Sequence, residues 1–134
     1  ILLLLNFKFW FINPLSPVQI ISWILLILSA YVVITGYLLL KRKGMPDSNF
    51  ENTSILVTSG IYRYIRHPLY LSIFLVGTGV MLKNPGSLQF VLGTINLIAL
   101  YLTARIEEKE MITKFGEEYR LYMKKTRMFI PFLL

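Results

Sequence analysis

Val18 to Leu40 is a run of 23 residues without a single charge, closed by Lys41, Arg42 and Lys43. As an α-helix it extends ~35 Å, enough to cross a hydrocarbon core of ~30 Å. The basic triplet reads as a stop signal on the cytoplasmic side. Asn13, Pro14, Ser16 and Pro17 form a turn ahead of the run. Residues 1–12 are apolar apart from Asn6 and Lys8, with Trp10 as an interfacial anchor. They read as the tail of a span that begins upstream, with the natural N-terminus missing. No basic region precedes them and no small-residue cleavage site follows, so a signal peptide is disfavoured.

A second pair of apolar arms follows. Gly44 to Asn52 is polar and carries Pro46, which makes it a loop, and Pro68 suits the first turn of a helix. Leu69 to Leu82 is apolar, Lys83-Asn84-Pro85-Gly86 is a strong turn signal, and Ser87 to Ala104 is apolar again. The first arm, about 14 residues against about 18 in the second, is short for a full crossing, so the pair predicts a tight or tilted helical hairpin. Gly77, Gly79 and Gly93 permit close helix contact, while Gln89 and Asn96 face protein rather than lipid. From Arg105 to Lys125 the chain turns amphipathic. Ile112, Phe115, Tyr119 and Tyr122 recur at helical steps and are expected to share one face.

The expected fold is therefore all-α: a polytopic helical bundle of about four spans, with a cytoplasmic loop and a C-terminal amphipathic helix. Charge supports the topology. If residues 41–67 and 105–134 share one side, that side holds 12 of the 14 basic residues and all seven acidic ones. At 134 residues the chain is about one domain, read as 1–134 with a motif-bearing core at 47–131. It is 55% hydrophobic and only 16% charged, which a soluble domain of this size could not cover. The net charge of +7 then needs no nucleic-acid partner, because basic residues flank spans on the cytoplasmic side.

Several chemistries drop out. There is no cysteine and a single histidine, His67, so a usual zinc site has no ligands and no metal is expected. Ser-His-Asp catalysis lacks supporting spacing, and neither a P-loop nor a dinucleotide glycine fingerprint is present. What remains is Arg66-His67-Pro68 with Tyr70, at the mouth of an apolar helix. Proline keeps the preceding residue out of the helical region, which places His67 beside outward-pointing backbone N–H groups. A ligand pocket and a plain lipid-facing helix start both fit this motif. Glu107 and Glu108 are a second candidate: a solvated helix start, or, if the preceding span continues into this helix, a mid-helix pair able to hold a cation or a ligand's amine and hydroxyls. The basic end at Lys124, Lys125 and Arg127 reads as a lipid-headgroup contact.

Residues 56–70 (LVTSGIYRYIRHPLY), the apolar hairpin, Glu107-Glu108 and residues 115–122 (FGEEYRLY) stand in one order. Together they resemble the isoprenylcysteine carboxyl methyltransferase family of integral membrane enzymes, to which phospholipid N-methyltransferases are related. The resemblance covers about 47–131. It implies S-adenosylmethionine bound near the cytoplasmic face without a Rossmann domain. It places Ser54, Ile55, Leu56, Val57, Tyr62, His67, Pro68, Leu69 and Tyr70 on the cofactor wall, with Glu107 at a polar part of the cofactor and a further contact near Asp47. The family's arginine for the substrate carboxylate falls on Thr103, and Arg105 is the nearest basic residue. Arg105, Tyr70, Tyr119, Tyr122 and Glu108 are the candidates for the reacting centre. The implied acceptor is lipophilic, a prenylated cysteine or a phospholipid, entering from the bilayer. Methylation of a carboxylate suits the residues, since that nucleophile is already ionised and needs only alignment and desolvation. A phospholipid amine acceptor, an NADPH-dependent sterol-type reductase and a non-enzymatic membrane subunit are the competing expectations.

Overall fold

The computed structural model of the protein describes residues 1–45 and 54–130. Five α-helices carry the described chain: α1 (Leu2–Asn6), α2 (Pro17–Lys43), α3 (Pro68–Met81), α4 (Ser87–Phe115) and α5 (Glu117–Lys125). Short 3-10 turns occupy Phe7–Phe9 and Gly60–Arg63, and no strand occurs among the described residues. The ends of α2 follow local chemistry. The Ser16 side chain accepts from the Gln19 N–H, Pro17 fills the first turn, and the Gly44 N–H closes the other end on Leu40 O.

Two helices are long and apolar enough to cross a membrane. They are α2, at 27 residues, and α4, at 29. Their surfaces are mostly uncovered. In α2 only Gln19, Ser22, Ser29, Val32 and Gly36 are buried; in α4 only Ala104 and Glu108 are. Ile24, Ile27, Ile34, Phe90, Ile95 and Ile98 stay exposed. The core helix of a soluble protein would bury such side chains, so the solvent that suits them is lipid, and this is a membrane protein. The helix α3 has 14 residues, or ~21 Å, and falls short of a crossing by length.

The helix α3 packs against both α2 and α4. Its seam with α2 is built from small residues and side-chain-to-backbone hydrogen bonds. Ser22 Oγ donates to Gly79 O at 2.6 Å, and Ser29 Oγ donates to Ser72 O at 2.9 Å. A Cβ at Gly79 would lie 3.0 Å from Leu26 Cγ and 3.2 Å from Ser22 O, so glycine lets the two backbones close.

The helices decide one open reading and correct one expectation. The apolar arm does not stop at Ala104. It continues as α4 to Phe115, so Glu107 and Glu108 lie well inside a helix and not at its start. Conversely, the amphipathic stretch is not one helix. Gly116, at φ 58° and ψ −130°, breaks it, and Ile112 and Phe115 do not share a continuous face with Tyr119 and Tyr122. The break folds α5 back, with Tyr119 and Tyr122 buried.

Candidate active site

Beyond α5 the chain returns to the mouth of α3. Residues 64–67 and 126–128 pair side by side: Arg127 N–H donates to Tyr64 O at 3.0 Å, Arg66 N–H to Arg127 O at 2.8 Å and His67 N–H to Met128 O at 3.0 Å. A single parallel bridge, Ile65 with Arg127, marks the pairing. It satisfies backbone groups that the turn before Pro68 would otherwise bury unpaired. His67 caps α3 at φ −121° and ψ 61°, outside the helical region as a residue before proline must be. Pro68 and Leu69 press on α2 at Gly36, where a Cβ would sit 3.3 Å from each of their side chains.

Four charged groups converge there. Arg66 Nε donates to Glu108 Oε1 at 2.6 Å, with both side chains nearly buried. Arg66 Nη1 donates to Thr126 O at 2.7 Å and reaches Met123 O at 3.3 Å. His67 lies between the two carboxylates, with Nδ1 3.6 Å from Glu107 Oε2 and Nε2 3.4 Å from Glu108 Oε1. These are ion-pair separations, and Nε2 makes no hydrogen bond. The imidazole stacks on Tyr70 at 5.5 Å and 14°, and Phe129 lies 6.0 Å away on a tilt. The Tyr70 hydroxyl also interacts with Glu107.

Burial alone would pull the His67 pKa down, but the carboxylates of Glu107 and Glu108 together outweigh it and hold it above its ordinary value. Burial pushes the phenols of Tyr119 and Tyr122 well above the usual tyrosine range, and for Tyr119 the Glu108 charge adds to it. Both tyrosines therefore stay protonated near neutrality, as donors and aromatic walls. Tyr122 uses its hydroxyl on Tyr62 O at 2.6 Å.

The cavity beside this cluster brings together Leu56, Val57, Tyr62, His67, Pro68, Leu69, Tyr70, Glu107, Tyr119 and Tyr122. Leu40, Arg66 and Met111 complete its lining, and Leu40 and Met111 were not expected there. A carboxylate among tyrosine rings at a helix mouth is a setting for a cation, by charge and by cation–π attraction. Among the described residues no group of side chains is arranged to hold a metal ion.

The family model for phospholipid methyltransferases matches residues 18–118, from the start of α2 to the first turn of α5. The chain belongs to that family. Its family relatives include methanethiol S-methyltransferase of Crocosphaera subtropica, 26% identical over 121 residues, or 84% of this chain and 44% of that protein. Protein-S-isoprenylcysteine O-methyltransferase of Xenopus laevis is 35% identical over 126 residues, 84% of this chain and 42% of its own length. The mouse protein of the same name is 38% identical over 93 residues, 65% and 31%. The chain thus spans less than half the length of these relatives. No solved structure matches it.

The remaining expected residues of this phospholipid methyltransferase family member lie off the cavity wall. Ser54 and Ile55 are exposed, and both donate their N–H to Gly44 O. Arg105 and Thr103 are exposed on α4, with Thr103 Oγ1 spent on Ala99 O. Glu108 is buried behind the wall against Arg66. Asp47 lies outside the described residues. Sequence reasoning singled out Arg66 beside His67 but missed its pairing with Glu108, 42 positions away.

Proposed function

We propose that this chain is a membrane methyltransferase that takes the methyl group of S-adenosylmethionine to a lipophilic carboxylate, such as a C-terminal isoprenylcysteine. The observation that carries the reading is Glu107 on the cavity wall among Tyr62, Tyr70, Tyr119 and Tyr122. A sulfonium donor is a cation, and this donor set suits one. The donor supplies an electrophilic methyl group. The chain's residues supply position: Glu107 and His67 orient the polar end, the tyrosine rings flank it, and Pro68 with Leu69 makes an apolar floor that excludes water. Glu107 is the natural partner for an amine or hydroxyl of the donor. Arg105 is the candidate for the acceptor's carboxylate from outside the wall. The membrane arrangement that goes with this reading has about four spans in a single domain, including the α3–α4 hairpin, with the site facing the cytoplasm.

An acceptor that needs no base fits these residues best. Glu108 is held by Arg66, Tyr119 and Tyr122 stay protonated, and His67 is biased toward imidazolium. A phospholipid amine would have to lose a proton before attack. It stands as the second reading because the family that matches is described by phospholipid methylation. Calorimetric titration with S-adenosylhomocysteine tests the donor. We expect binding that falls ~10-fold or more in Glu107→Ala, the loss of a hydrogen bond to a charged group. No binding to the unaltered protein, or binding of NADPH instead, overturns the reading. Labelled methyl transfer to a prenylcysteine mimic and to phosphatidylethanolamine, side by side, assigns the acceptor.

A further inference from the structure

Arg66 joins three stretches that are remote in sequence. Its backbone belongs to the segment leading into α3, its Nε holds Glu108 on α4, and its Nη1 holds the carbonyls of Met123 and Thr126 at the end of α5. An α-helix turns ~100° per residue, so pinning Glu108 fixes the direction in which its neighbour Glu107 points. Pinning Thr126 fixes the segment whose Met128 carbonyl accepts from His67 and whose Phe129 ring leans on it. We propose that Arg66 is a positioning residue of the cavity, clamping Glu108 and the Thr126 carbonyl so that His67 and Glu107 are held in register toward a bound cationic donor. The inference rests on the donor-site reading above.

The clamp has a chemical signature beyond stability. Arg66 and His67 compete for one oxygen, Glu108 Oε1, which lies 2.6 Å from Arg66 Nε and 3.4 Å from His67 Nε2. The short bond to Arg66 leaves Nε2 without a hydrogen bond and Nδ1 turned to Glu107. Releasing Glu108 lets it swing to Nε2 and draws the ring away from Glu107. A lysine at position 66 offers Glu108 a point charge, but it cannot reach the Thr126 carbonyl with a second arm as the guanidinium fork does. The groups facing His67 are Glu107 and Glu108 from α4, Arg66 from its own segment and the Tyr70 ring from α3. Among the described residues, the returning C-terminal segment presents the Met128 carbonyl and the Phe129 ring.

The chain has one histidine, so an imidazole ¹⁵N titration reads this site without ambiguity. The full chain in lipid nanodiscs is compared with Arg66→Lys and with the double variant Arg66→Met/Glu108→Gln, which removes both partners together. We expect the His67 midpoint to rise in Arg66→Lys, as the ammonium's single point charge holds Glu108 less tightly than the guanidinium fork and lets it approach Nε2, and to fall below the unaltered protein in the double variant. Affinity for S-adenosylhomocysteine falls ~10–100-fold in both, the scale of a small misplacement of binding groups. A His67 midpoint that stays put in both folded variants, or donor affinity that survives, overturns the clamp. An unaltered chain that binds no S-adenosylhomocysteine sinks the donor reading, while the His67 midpoints still decide whether Arg66 governs that ring.

Discussion

The two ends of α3 each bury a cation, and they treat it in opposite ways. At the His67 end, Arg66 has a carboxylate at 2.6 Å and a carbonyl at 2.7 Å. At the far end, Lys83 is 3% exposed in the turn to α4, and its Nζ has no hydrogen-bond partner. It lies 3.6 Å from the centre of the Trp23 ring and 5.5 Å from that of Trp10, and desolvation pulls its pKa down. The Gln19 side chain hydrogen-bonds the Lys83 carbonyl and not the ammonium. One cation is a node in a network that positions other groups. The other is held by aromatic faces alone. Among the described residues, a carboxylate partners the cation at the Arg66 end of α3 and none partners Lys83, and polar chemistry gathers at the former.

The largest effect that would break this contrast is at Arg66. Arg66→Met takes the guanidinium from buried Glu108 and leaves it only the His67 ring beside it, and we expect a loss of about 3 kcal/mol in unfolding free energy, recovered in good part by adding Glu108→Gln. Denaturant titration of single and double variants checks it. A single variant no weaker than the double would place the two ends on the same footing. Next is pH. Folded His67 holds its proton more tightly than the unfolded chain, whose histidine titrates near 6.5. Its contribution is complete below that value and is lost as pH rises through the raised folded pKa. Melting temperature measured across that window should fall for the unaltered protein relative to His67→Gln. A parallel pair of curves would refute the carboxylate pairing.

Lys83→Met sharpens the contrast from the other end. Methionine keeps an apolar stem on Trp23 and removes a desolvated charge, so we expect a change within about 1 kcal/mol in either direction. A loss as large as that at Arg66 would mean the ammonium is tightly partnered after all. The smallest effect lies between the ends. Ser22→Ala removes one hydrogen bond to Gly79 O in the α2–α3 seam and should cost about 0.6 kcal/mol, the average for such bonds between membrane helices. Unfolding in mixed micelles resolves it against the larger changes.

Local features were legible in the sequence and pairings were not. Ser16-Pro17 and Lys41 to Lys43 mark the ends of α2 because caps and stop signals act within a few residues. Pro68 fixes the backbone of His67 for the same reason. The Arg66–Glu108 pair and the Ile65–Arg127 bridge depend on how helices dock, and no periodicity encodes that. Gly116 was misread because the apolar spacing carries on through it, while its positive φ shows only in the folded chain. Ser54 and Ile55 were expected on the cofactor wall by resemblance and Arg105 at the reacting centre as the nearest basic residue, and all three are exposed away from the cavity lining. Arg66 needed its partners in view before its place could be seen.

The pairing of 64–67 with 126–128 also sets an order of assembly. Thr126 stands 60 residues after Arg66. During synthesis, α3 and the whole of α4 must leave the ribosome before the strip that closes the cavity exists. Until then the Arg66 guanidinium lacks its carbonyl partners and the His67 N–H has nothing to donate to. The long helices can enter the bilayer early, one by one, on hydropathy alone. The strip that closes the cavity is made last, and a nascent chain halted just short of Met128 would lack it.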